Sequence, residues 1–342
     1  MKKLPRSLKI TSLLIHGLLI LIYLAGCNLG APTQPSPTAT EVVSVPVEAQ
    51  TDDPSAANPN TPNISPNTNV TPLAPPSAGL AGHIVFASDR EDGDLEIYSM
   101  NADGGEVARL TNEIAKDTQP VWSPDGTRIA FVSERDGDRE LYVMNADGTG
   151  VTRLTNAPGM DYNAVWSPDG SKIAFESTRD GQGAAEIYVM NADGSNQVNV
   201  SNSPLEDNSP RWDRTYPNIL HFTTSGPEIT VSVDVNTGQT GFQPDTYTRF
   251  PIFSPFGDML FIKLVDDQQE IFLWKGADVE GLNLTNSPAI DVNPSWSPDG
   301  SHIVFDTDRD GNVEIYIVDK EGQFLVNITN NPAFDGFPNW GP

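Results

Sequence analysis

The sequence predicts an all-β fold: a six-bladed β-propeller of four-stranded blades, closed by the C-terminal strand, after a disordered N-terminal tether. Three observations carry this reading. First, Trp-Ser-Pro-Asp-Gly recurs at Trp122–Gly126, Trp166–Gly170 and Trp296–Gly300. With weaker copies at Trp212, Phe253 and Trp340, the aromatics are spaced by 44, 46, 41, 43 and 44 residues. Second, every interval holds short apolar runs divided by Asp-Gly turns, and none has a helical period. Third, the ends of the repeat complement each other. It opens at His83-Ile84-Val85-Phe86, which has the pattern of a second strand, and it closes on Asp335-Gly336-Phe337-Pro338-Asn339-Trp340, which has that of a first. Five whole units and one split unit make six blades, and the split unit closes the ring without an open edge.

The N-terminal elements come first. Lys2, Lys3, Arg6 and Lys9 precede an apolar run from Ile10 to Tyr23. That run is short for a membrane span and suits the core of an export signal. It ends in Leu24-Ala25-Gly26-Cys27, which contains the only cysteine of the chain. The tetrapeptide resembles the lipobox of bacterial lipoproteins. The resemblance implies that residues 1–26 are a lipoprotein signal peptide and that Cys27 is the lipidation site. It also implies an extracytoplasmic protein, lipid-anchored to a bacterial membrane on the cell surface or the periplasmic side. Two or three acyl chains anchor stably where one does not.

Residues 27–81 contain 11 prolines and no Phe, Trp or Tyr. Such a Pro/Thr/Ser/Asn-rich segment buries too little apolar surface to offset the entropy of ordering it. It reads as a disordered linker, spanning roughly 40 Å as a coil and about 170 Å as polyproline II.

Residues 82–342 hold the repeat. After Trp122, a Ser-Pro-Asp-Gly turn leads into Arg128–Val132. The Arg135-Asp136-Gly137 turn leads into Glu140–Met144, and Asn145-Ala146-Asp147-Gly148 into Val151–Leu154. Asp-Gly supplies the positive φ that tight hairpins need. The ordered signature Pro-x-Trp-Ser-Pro-Asp-Gly, Ile-Ala-Phe, Arg-Asp-Gly, Glu-Ile-Tyr-Val-Met-Asn-Ala-Asp-Gly and Leu-Thr-Asn resembles the TolB-type, WD40-like β-propeller repeat along the whole of 82–342. The Gly-His and Trp-Asp pairs of WD40 proteins proper do not recur. TolB itself has an α/β domain ahead of its propeller. Here the linker takes that place, so a role in the Tol envelope complex does not carry over.

Recurring positions then receive roles. Phe86, Phe131, Phe175, Phe222, Phe261 and Phe305, with Tyr98, Tyr142, Tyr188, Phe272 and Tyr316, are expected between blades. Glu96, Glu140, Glu186, Glu228, Glu270 and Glu314 open the third strands. Arg90, Arg135, Arg179 and Arg309, in the turns just before, are expected to pair with them. Asp117, Asp161, Asp207, Asp291 and Asp335 stand five residues before their tryptophans, with Thr248 in the sixth place. These six positions are expected to ring one mouth of the central channel. The five carboxylates either cap turns or share a metal, for which Ca²⁺ fits best.

The function classes narrow accordingly. The full chain carries a net charge of −26; without residues 1–26 it has 16 basic and 46 acidic residues, a net of −30. That balance excludes nucleic acid as a partner. No Gly-x-Ser-x-Gly nucleophile elbow occurs, and the four histidines form no cluster. The expectation is a monomeric, non-enzymatic scaffold in the cell envelope, binding an envelope protein or a peptide or glycan ligand and requiring no cofactor. The alternative is a polysaccharide-active or other hydrolytic or lyase enzyme that uses the channel-mouth carboxylates. Blade 4 breaks the rule with Thr224-Ser225-Gly226, Gln243 and Thr248, which points to partner contact at the blade 4–5 junction around Tyr247 and Thr248.

Overall fold

The computed structural model describes residues 80–181, 184–225, 229–244, 251–274 and 281–342. Cys27, Glu228, Tyr247 and Thr248 lie outside them, as do the proposed signal segment and nearly all of the linker. Contacts divide the chain after Pro66, and every described residue belongs to the unit Asn67–Pro342.

The described residues form six antiparallel sheets of four strands each and no helix. Blade 2 shows the plan. Asp117–Trp122 is innermost, followed outward by Arg128–Ser133, Glu140–Asn145 and the short Thr152–Arg153. The innermost strands of successive blades contact one another from Ile252–Phe253 through Asp291–Trp296, Asp335–Gly341, Asp117–Trp122 and Asp161–Trp166 to Asp207–Trp212. Blade 1 is the split one: Asp335–Gly341 pairs antiparallel with His83–Ser88, which also pairs with Glu96–Asn101. Closure by the C-terminal strand is therefore as the sequence predicts.

Local chemistry explains the turns. In Trp122–Gly126 the Ser123 hydroxyl donates to Asp125 at 2.6 Å, and the Gly126 amide returns to the Ser123 carbonyl at 2.9 Å. Gly126 sits at φ +67°, a conformation that side chains resist. Gly148, at φ +82°, has a second constraint: a Cβ there would stand 2.8 Å from the Leu110 carbonyl of the preceding blade. That hairpin is packed against its neighbour as well as turned.

The aromatics lie between the blades. Phe86 faces Tyr98 across the strand pair with ring centroids 5.8 Å apart, and Phe131 faces Tyr142 at 5.7 Å. The tryptophans also stitch blades together. Trp166 donates its indole N–H to the Val121 carbonyl at 3.3 Å, Trp212 to Val165 at 3.1 Å, and Trp296 to Ile252 at 3.2 Å. At the seam, Trp340 donates to the Ala81 carbonyl at 3.0 Å.

Candidate functional site

In blade 2 the Arg-Asp-Gly hairpin and the segment crossing to the next innermost strand lie on one face, because strand direction alternates. The predicted aspartates open the innermost strands there: Asp117, Asp161, Asp207, Asp291 and Asp335 are each a first residue. All five are buried and turned into their own blades. Arg135 meets Asp117 at 2.8 Å, Arg179 meets Asp161 at 2.6 Å, Arg309 meets Asp291 at 2.9 Å and Arg90 meets Asp335 at 2.7 Å. Asp207 has no arginine and accepts from the Thr224 hydroxyl instead.

This arrangement corrects two expectations. The turn arginines do not pair with the third-strand glutamates. Asp117, Ser133 and Glu140 are register partners across three strands. The Ser133 hydroxyl accepts from Arg135 Nε at 2.8 Å, and the guanidinium then lies over the Tyr142 ring at 4.8 Å and reaches the inner side. Nor do the aspartates gather as a metal site. Among the described residues no three His, Cys, Asp or Glu side chains could share an ion. Four of the carboxylates already have a cation, so their mutual repulsion calls for no further one. Burial pushes the carboxyls of Asp117 and Asp207 upward, against the pull of Ser133 and Arg135 on the first and of Thr224 on the second.

The glutamates serve the crossing segments. Glu96 accepts from the Thr111 hydroxyl and from the Glu113 amide at 2.7 Å. Glu270 accepts from the Ser287 amide at 2.9 Å and Glu314 from the Asn331 amide at 3.0 Å. These three crossing segments are thus each fastened from beneath by a buried carboxylate. On the outside of the crossing segments stand apolar side chains: Ile114 at 99% exposure, Met160 at 41%, Leu205 at 45% and Ile290 at 43%.

Sequence reasoning misses two further carboxylates. The innermost strands carry bulges whose turning residues, Gln119, Asn163, Ser209, Asn293 and Phe337, have φ between 51° and 58°. Some of these bulge amides point at the preceding blade. Asn163 donates to Gln119 at 3.0 Å, Ser209 to Glu176 at 2.8 Å and Phe337 to Asp306 at 2.8 Å. Glu176 and Asp306 are buried acceptors in second strands, where neighbouring blades carry apolar residues or Thr. Burial raises both carboxyls, Asp306 to about 6. Their only sequence signal is a charge following the buried Phe.

The family described as TolB beta propeller domain matches residues 64–139, 120–240 and 183–342. A Protein TolB homolog of Chlorobium luteolum (strain DSM 273 / BCRC 81028 / 2530) is 46% identical over 52 residues, 15% of this chain and 12% of that protein. The match therefore covers far less than two thirds of that relative. The crystal structure of TolB from Acinetobacter baumannii superposes with a TM-score of 0.64 at 21% identity, covering 78% of this chain and 68% of that one. A putative TolB from Agrobacterium tumefaciens gives 0.55 at 17%, covering 78% and 100%. At these identities the structural likeness is one of fold.

Proposed function

We propose, on the premise that this chain belongs to the TolB beta propeller domain family, that it is a non-enzymatic binding scaffold of the bacterial cell envelope. In this reading it is held at a membrane through lipidated Cys27 and presents its crossing face to an envelope protein. One observation carries the choice of face. The apolar side chains of Ile114, Met160, Leu205 and Ile290 stand exposed on segments held by buried carboxylates: arginine-bound Asp117, Asp161 and Asp291 end three of them, and Glu186 holds the Ser203 amide of the Leu205 segment. Apolar groups on a pre-formed support favour association, because little entropy is lost in docking. The acidic chain favours a partner whose contact surface carries basic residues around an apolar centre. Binding, rather than turnover, is supported by the carboxylates of this face, which are already engaged by arginine, hydroxyl or amide donors.

The test is site-directed photocrosslinking in cells, with a photoreactive residue in place of Ile114, Leu205 or Thr127. Thr127 is exposed on the opposite face. The expected result is one envelope protein trapped from positions 114 and 205 and absent from position 127. Equal trapping from all three positions, or from none, would overturn the crossing face as the contact.

A further inference from the structure

Blades 1 and 2 each hold a guanidinium in a slot at their outer edge, and among the described residues blade 3 keeps the acceptors of that slot without the arginine. In blade 1, Arg109 of the outer strand supplies the cation. Its Nη2 donates to Glu96 at 2.8 Å and to Asp92 at 2.7 Å, and its Nε donates to the Thr111 carbonyl at 2.7 Å. Blade 2 repeats this with Arg153, which reaches Glu140 at 2.8 Å, Asp136 at 2.9 Å and the Thr155 carbonyl at 2.6 Å. A turn carboxylate, a third-strand glutamate and a backbone carbonyl thus form a three-point cradle for a planar cation.

Blade 3 keeps the cradle and lacks the arginine. Asp180, Glu186 and Ser201 hold the three acceptor positions, and Asn199 stands where Arg109 and Arg153 stand. Asn199 covers only one point, donating to Asp180 at 2.9 Å. Its own oxygen is turned back to the amides of Ser201 at 3.1 Å and Asn202 at 2.8 Å. Glu186 is 95% buried, since its exposure is 5%. Its Oε2 accepts from the Ser201 hydroxyl at 2.6 Å and the Ser203 amide at 3.0 Å. No donor among the described residues meets its Oε1, the atom whose counterparts in Glu96 and Glu140 hold the arginines. A cleft of about 590 Å³ opens at this place, lined by Asp180, Glu186, Tyr188, Asn199 and Ser203 among others. Burial and the neighbouring Asp180 push the Tyr188 hydroxyl up to about 12, so it stays a donor to Asp180.

Blade 6 also has an asparagine at this position, Asn327, but it closes its slot another way. Asn312 donates to Glu314 at 2.9 Å and to the carbonyls of Asn331 and Ala333. The residue two before the glutamate in blade 3 is Ala184, whose side chain has no donor to offer. In blade 5 both oxygens of Glu270 are met, Oε2 by the Thr285 hydroxyl at 2.7 Å and Oε1 by the Ser287 amide at 2.9 Å.

We infer that the outer edge of blade 3 is a binding site for a guanidinium group, taking in trans the arginine side chain that blades 1 and 2 supply in cis. The assignment goes beyond the scaffold reading and does not depend on it. Lysine fits less well, because a single ammonium cannot meet three separated acceptors in one plane.

The test is titration of the full chain, observed through the amide resonances of Asn199 and Ser203. The probes are capped arginine, capped lysine and a short peptide with one central arginine. Capped arginine is expected to shift both resonances saturably, and capped lysine to bind about tenfold more weakly, the worth of one charge-assisted hydrogen bond. Glu186→Gln should weaken arginine binding by a similar factor. Asn199→Arg should abolish it by filling the slot from within, while raising the melting temperature. A peptide that binds more tightly than capped arginine identifies a protein source for the group, and equal binding identifies a free small molecule. Either result sustains the site. No shift, equal shifts with lysine, or unchanged binding in Asn199→Arg would overturn it.

Discussion

Asp117 and Asp207 occupy one position of the repeat, yet they should respond differently to loss of charge. Asp117→Asn leaves Arg135 beside a buried neutral amide and should cost about 3 kcal/mol, as breaking buried pairs does. Asp207 faces hydroxyl groups, Thr224 foremost, in place of an arginine, and burial already disfavours its charge, so Asp207→Asn should change stability by less than about 1 kcal/mol. Denaturant midpoints of the two variants decide the matter, and equal losses would count against the pairing scheme. Asp306 adds a pH dependence. Its carboxyl titrates near 6 in the fold against an ordinary 3.8, because burial raises it, with Asp291 nearby adding to the shift. The folded form therefore keeps a proton that the unfolded chain releases. The contribution favours folding below the lower value and is lost as pH rises through the upper one, on the order of 3 kcal/mol in all. Asp306→Asn removes this loss, so its stability relative to the parent should climb from about pH 4 to about pH 6 and then level off. Unfolding curves collected across that range test it, and a flat difference would mean that Asp306 does not titrate there.

At the scale of elements, the innermost strand of blade 1 is the critical piece. Removing Asp335–Pro342 takes away the partner of His83–Ser88 and lifts Trp340 out of the cluster it forms with Ile84 and Phe86. The expected outcome is aggregation or loss of a single cooperative unfolding transition, followed by light scattering and urea melts. A truncated chain that melted like the full one would speak against closure by this strand. The strands were legible in the sequence because their turns are governed by local chemistry: Ser123, Asp125 and Gly126 define a hairpin within five residues. Partnership across the blade was not legible. Arg135 stands five residues from Glu140 and 18 from Asp117, and nearness along the chain favoured the wrong acid. Strand register and the seat over Tyr142 settle that choice, and neither leaves a mark in composition. Glu176 and Asp306 were hidden for a related reason, since their partners are backbone amides on bulges of the following blade.

The whole molecule combines a strongly acidic chain with a ring whose seam lies beside the start of the described residues. If Cys27 is the lipidated residue, Cys27→Ser should shift the protein from the membrane fraction to the soluble one or leave it as an unprocessed precursor. Incorporation of labelled fatty acid should disappear with it, and label persisting on the variant would assign the lipid elsewhere. The seam then acquires a mechanical meaning. The chain enters the ring at Leu80 and runs directly into His83–Ser88, which is paired along both sides, while Trp340 clasps the carbonyl of Ala81. A pull transmitted from the residues before Leu80 meets two hydrogen-bonded ladders at once, not a free edge that could peel one pair at a time. The load on His83–Ser88 is shared between its two partners, Asp335–Gly341 and Glu96–Asn101, so the head should yield to tension as a unit.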